Sequence, residues 1–187
     1  MKALTVWQPW AGLLITGHKR FETRPMPTSH RGFLLIHAAL KQDAPVIDDL
    51  AAWFTESYLG RVPTMNAAGK PQLGIRIPTH YTTYGAILGL VNVIDCQPVN
   101  SKPMSDYWFS RHHDHETDER MMGDWSEGRY AWRMSAVTVL FPEPIPCRGQ
   151  QGLWTPDAEV TKACGEQLMK SDYPFGTVPD TLFNQPA

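Results

Sequence analysis

The chain has 187 residues, 42% of them hydrophobic, with 16 prolines, 14 glycines and a formal net charge of −2. So many breakers and only 19% charged residues exclude a bundle of long surface helices, and the small net charge excludes a protein that grips long nucleic acid through many phosphates. Three widely spaced cysteines exclude a disulfide scaffold or a paired-cysteine zinc site and lead us to expect a reducing, cytoplasmic setting.

The N-terminal "MKALTVWQPWAGLLITG" is interrupted by Gln8-Pro9 and followed by a dense charge cluster, so it is expected to be structure rather than a cleaved leader. No apolar run approaches the roughly 20 residues of a membrane span, so no membrane partner is expected. "LTVWQPW" predicts a strand ending at Pro9. That proline suits the first position of a helix running through Leu13 and Ile15 and stopped by Gly17. Next comes "GHKRFETRP", with a strand over Arg20 to Arg24. Residues 1–41 carry six cations against Glu22 alone, a formal +5, so the basic character is local.

"GFLLIHAA" is apolar on both alternating faces and predicts a buried strand containing His37, read as a core histidine. A helix is expected from Asp43 to Gly60, where Val46, Ile47, Leu50, Trp53, Phe54 and Tyr58 fall at helical spacing. Residues 60–83 are too long and breaker-rich for a routine loop. "YGAILGLVNVIDC" predicts a strand bent or bulged at Gly85 and Gly89. Residues 97–127 are polar, and their "RHHDHETDE" matches no closed zinc motif. His112, His113, Asp114, His115 and Glu116 are therefore read as a solvated loop, with no metal and no cofactor assigned. "RYAWRM", "AVTVLF" and "QGLWTP" predict three short strands separated by turns. Thr155-Pro156-Asp157 then opens a helix to about Lys170, followed by an extended tail.

Five to six strands and two to three helices without a βαβ rhythm predict an α+β chain, a small β-barrel flanked by helices and interrupted by long loop insertions. Closure would remove exposed strand edges. The ordered blocks "LTVWQPWAGLLITGHKRFETR", "RGFLLIHAA", "GAILGLVNVIDC", "GRYAWRM" and "EPIPCRGQQGLW" resemble the ASCH domain family, especially its small stand-alone bacterial and phage members. The G-x-K-x-x-E-x-R element carries most of that resemblance. It implies a PUA-like barrel over residues 2–155, with 156–187 as a C-terminal helix and tail. It also implies a cleft beside the first helix and binding of RNA or a modified nucleobase. Some relatives are enzymes, including an amidohydrolase acting on N4-acylated cytidine.

Within such a cleft each residue type has a physical use. Glu22 can accept a proton from the exocyclic amine of a base or hold Lys19, and Arg24 offers a planar fork to phosphate. A partly dry Lys19 could instead act as nucleophile or base with Glu22 beside it. Lys19 and Glu22 can share a pocket only if Lys19 still belongs to the turn, because a regular strand sends them to opposite faces. Trp7 and Trp10 can stack on bases or fill the core, while Gln8 is either a cap or a reader of a base edge. Arg129 and Trp132 pair a cation with an aromatic in the same way, and Arg148 sits in a turn suited to phosphate.

Two functions stand foremost, and a protein-interaction domain displayed by the long insertions is a third. One is a binding module for RNA, single-stranded nucleic acid or a modified nucleoside. The other is a small hydrolase, N4-acylcytidine amidohydrolase-like or ribonuclease, using Lys19 and Glu22. Against the second, the amidohydrolase relatives carry threonine where Glu22 stands, and their additional catalytic carboxylate has no evident counterpart here.

Overall fold

The computed structural model describes residues 1–41, 62–65, 71–74, 79–105, 119–120 and 122–171. The helix expected from Asp43 to Gly60, the histidines of "RHHDHETDE" and the tail beyond Ser171 lie outside these residues.

A six-stranded mixed sheet organises the chain. It contains β1 (Lys2–Val6), β2 (Phe21–Arg24), β3 (Gly32–Ala38), β6 (Ala86–Pro98), β7 (Tyr130–Pro146) and β8 (Leu153–Trp154). Their order is β2-β7-β6-β3-β1-β8, with β1 parallel to β3 and the other pairs antiparallel. The sheet curves as a half-barrel whose hydrogen-bonded ends are β2 and β8. Between β3 and β6, a two-stranded sheet pairs β4 (Val62–Met65) with β5 (Pro71–Gly74), and a short helix, α2, spans Thr79–Thr82. Residues 60–83, read from sequence as a breaker-rich connection too long for a routine loop, therefore contain an antiparallel strand pair and a helical turn.

Both faces of the sheet are buried, as the unbroken apolar run of β3 anticipates. Leu34 and Ile36 face one core cluster with Leu4, Val6 and Leu14, whereas Leu35 faces a second with Leu90, Val139 and Leu168. In β6 the alternation changes phase: Ile87 and Leu90 share one cluster, Leu88 and Val91 the other. An odd spacing on one face needs an extra residue, and the ladder slips between Ile87 and Gly89. Gly89 is required there because a Cβ would lie 2.0 Å from the carbonyl oxygen of Val139.

The separate strands expected at "RYAWRM" and "AVTVLF" are one continuous strand, β7, which even includes "PEPIP". Pro142 and Pro144 are tolerated because the β6 ladder steps from Leu140 directly to Ile145, leaving 141–144 outside regular pairing, and Pro146 ends the strand opposite Ala86. The Glu143 N–H donates instead to Gln167 Oε1, at 3.0 Å, on the last helix, α3 (Ala158–Lys170). That helix starts where "TPD" places it, with Asp157 accepting from the Val160 N–H at 2.8 Å. Among the described residues, no helix is long and apolar enough to cross a membrane.

Candidate functional site

The first helix, α1 (Trp10–Ile15), buries Ala11, Leu13, Leu14 and Ile15 in the half-barrel. Behind it the chain reverses at Gly17, whose φ of +77° is a conformation glycine adopts most cheaply. The Lys19 N–H bonds back to the Leu13 carbonyl at 3.0 Å, so Lys19 belongs to the turn, and β2 begins only at Phe21. This offset turns the Lys19 and Glu22 side chains toward each other.

Their charged atoms are 3.8 Å apart, and both residues are buried, Lys19 at 1% exposure and Glu22 at 7%. The other Glu22 oxygen lies 2.8 Å from Arg24 Nε. Arg24 also donates through Nη2 to the Thr5 carbonyl at 2.8 Å, which ties β2 to β1. Lys19 Nζ donates to the carbonyls of Phe21 and Met122, the latter at 2.6 Å, and stands 5.8 Å from the centre of the Trp10 ring. Burial lowers the Lys19 pKa; Glu22 and Glu119 pull it partly back, and Arg24 adds to the lowering.

These side chains line a cleft of about 370 Å³ together with Trp7, Trp10, Thr23 and Arg129. Trp7 is 46% exposed, while Trp10 packs one side against the core. Arg129 is held over the cleft by the Thr23 carbonyl at 3.0 Å and by Asp124 at 3.3 Å. Of the residues singled out from sequence, Trp7, Trp10, Lys19, Glu22, Arg24 and Arg129 thus meet around one hollow.

Three others do not. Gln8 is 1% exposed and its amide is fully used: Nε2 donates to the carbonyls of His80 and Thr83 at 2.7 and 2.8 Å, and Oε1 accepts from the Gly12 N–H at 3.1 Å. Of the two roles open to it, it is a cap and not a reader. Trp132 is 4% exposed in the main core cluster, with its indole N–H spent on the Met26 carbonyl at 3.1 Å. Its edge borders a different and larger groove, and exposed Arg148 lies on that groove too, away from Lys19 and Glu22.

Sequence reading missed Glu119. It is the last residue of "RHHDHETDE", a run interpreted as solvated, yet it is 5% exposed. Its Oε1 accepts from the Arg20 N–H and thereby fixes the start of β2, while Oε2 has no hydrogen-bond partner among the described residues. Burial pushes its carboxyl up to about 7, opposed by nearby Lys19 and by the backbone N–H groups of Arg20 and Phe21. It does not line the cleft. The only sequence signal was an acid at the end of a polar run, which does not distinguish a buried carboxylate from an exposed one.

The family profile described as ASCH domain matches residues 4–141. Activating signal cointegrator 1 of Homo sapiens is 37% identical over 170 residues, covering 90% of this chain and 24% of that protein. The Mus musculus protein of the same name is 28% identical with the same coverage, so the chain spans about a quarter of the length of these curated relatives. Among solved structures, ASCH from Zymomonas mobilis is similar at 14% identity and a TM-score of 0.45, over 92% of this chain and 96% of that one.

Proposed function

The chain belongs to the ASCH domain family, and we propose that its cleft receives one base of an RNA or other single strand, or of a modified nucleotide. The observation that carries this reading is the buried Lys19–Glu22–Arg24 array opening into a tryptophan-walled hollow. A carboxylate accepts through about four lone-pair directions, and only part of that capacity is taken by Arg24 and Lys19. The remainder suits the amine or ring N–H of a base. Trp7 supplies a stacking surface, and Arg129 and Arg24 supply fixed cations for an adjoining phosphate. Affinity from one enclosed base and few phosphates agrees with a net charge of −2.

Hydrolysis is less well supported. A lysine acting as nucleophile or base must present a free amine to substrate or water. Lys19 is almost fully buried, and its donors are directed at two carbonyls and a carboxylate. Such an ammonium is suited to fixing the loop at Met122 and the orientation of Glu22.

The test is fluorescence anisotropy of labelled single-stranded RNA and DNA oligonucleotides with wild type, Trp7→Ala and Glu22→Gln. Loss of a stacked base weakens binding by about 1–3 kcal/mol, or roughly 5- to 150-fold, and Glu22→Gln is expected to change base preference as well as affinity. Binding to both variants as tight as to wild type contradicts the proposal.

A further inference from the structure

A second concavity adjoins the cleft. It is larger, about 1180 Å³, and the two share Thr5, Trp7, Arg24 and Pro25 as a common wall. Its outer rim carries the exposed apolar side chains of Trp7, Met26 and Leu40. Lys41 Nζ stands 5.0 Å from the centre of the Trp7 ring, and Arg148 is exposed on the far side. Arg24, Lys41 and Arg148 give this groove three cations, and no carboxylate lines it among the described residues. In a chain whose net charge is −2, that segregation is a specific complement to a polyanion.

Beneath the floor lies a buried histidine. His37 is 1% exposed and its Nε2 lies 3.1 Å from the Cys147 carbonyl. A carbonyl can only accept, so Nε2 carries the hydrogen and Nδ1 is an acceptor, with no partner among the described residues. Burial lowers the pKa of this ring, which keeps it neutral and Nδ1 able to accept. Gly149 lies so close that a Cβ there would stand 2.5 Å from Nδ1. The loop bearing Arg148 therefore rests directly on the histidine.

We infer that this groove is the subsite for the neighbouring nucleotides of the strand whose base occupies the cleft, so that the ligand is an oligonucleotide rather than a free nucleoside. The inference rests on the base-binding reading of the cleft. Trp7 is the divider: the strand passes it from the cleft into the groove. Arg24 at the shared wall and Lys41 and Arg148 beyond it meet successive phosphates, and the apolar rim takes the flanking bases. An acidic peptide would satisfy the cations but leave the exposed tryptophan, methionine and leucine without a flat partner.

The experiment is calorimetric titration of the full chain with a nucleoside monophosphate and with the di-, tri- and tetranucleotides of the same base. A hexaglutamate peptide serves as the competing polyanion, and Arg148→Ala and Lys41→Ala as variants. Both side chains are exposed, and the fold of each variant is verified by circular dichroism. Affinity is expected to rise about 5- to 150-fold from mono- to trinucleotide, as one further base stacks. The dependence of log affinity on log salt should steepen by about 0.7 for each added phosphate contact. In each variant the gain with length should shrink by at least half on a logarithmic scale. Affinity independent of length, or a gain with length that both variants retain, overturns the inference while leaving the cleft reading intact. Equal binding of hexaglutamate and trinucleotide also overturns it. Failure of every nucleotide to bind removes the base-binding reading itself.

Discussion

Lys19 is a buried ammonium set in the wall of the cleft. Burying an ammonium costs several kcal/mol unless hydrogen bonds and an opposite charge offset it, and here two carbonyls and Glu22 do so. Replacing it with alanine strands those acceptors. Lys19→Ala is expected to lower unfolding free energy by about 3–5 kcal/mol in urea denaturation, as for other broken buried pairs; a change below about 0.5 kcal/mol would mean the side chain is solvated. Glu119 gives a prediction with a sign. Its carboxyl keeps a proton to about pH 7 when folded and only to 4.5 in its ordinary setting. Between those values the folded chain binds the extra proton. The contribution is therefore full below 4.5 and is lost as pH rises through 7, amounting to roughly 3 kcal/mol. Urea midpoints of wild type should fall across that window more steeply than those of Glu119→Gln. The meeting of Lys19 and Glu22 was legible in the sequence, because Gly17 announces a turn and a turn removes the strand alternation that would separate them. The burial of Glu119 was not, since it depends on how a distant polar stretch lies against β2.

At the scale of elements, α1 and α2 are joined at a close approach. The Gln8 amide clasps the carbonyls of His80 and Thr83, Thr16 and Tyr81 hydroxyls meet at 2.9 Å, and a Cβ on Gly12 would fall 2.3 Å from the Tyr81 ring. Two effects then compete in Gly12→Ala. Alanine favours a helix by about 1 kcal/mol, whereas overpacking costs about 1–3 kcal/mol. Tyr81 is buried, so the clash should win, and the variant is expected to have a lower thermal midpoint than wild type; a higher midpoint would show that Tyr81 moves aside freely. Helix starts and the bulge in β6 could be read from Pro9, Asp157 and Gly89, because each imposes a local backbone requirement. The continuity of β7 could not. "PEP" carries turn composition, yet it lies within the strand, where the ladder to β6 is interrupted and a distant Gln167 side chain takes the Glu143 N–H.

For the whole molecule, charge is sorted rather than abundant. Among the described residues the larger groove carries Arg24, Lys41 and Arg148 without a carboxylate, the cleft sets Lys19, Arg24 and Arg129 beside Glu22 and Asp124, and the chain as a whole is slightly acidic. Binding of a single strand through two or three phosphate contacts should give a log-log salt slope of about −1.4 to −2.1; a slope near −7 would require a phosphate track that these surfaces do not provide. The fold class was readable because strand-length apolar runs recur without a βαβ rhythm, and the resemblance to ASCH domains ordered them. Which aromatics face solvent was not readable, since Trp7, Trp10 and Trp132 have similar surroundings in sequence and differ only once the sheet curves. Base binding depends most on Trp7 and Trp10 walling the hollow. It is tested most directly by following the indole N–H resonances of the tryptophans while a single-stranded oligonucleotide is added. The resonances of Trp7 and Trp10 should shift saturably and that of Trp125, packed against Phe21 and bonded to the Glu119 carbonyl, should stay in place. Shifts confined to Trp125, or no saturable change in Trp7 and Trp10, would contradict it.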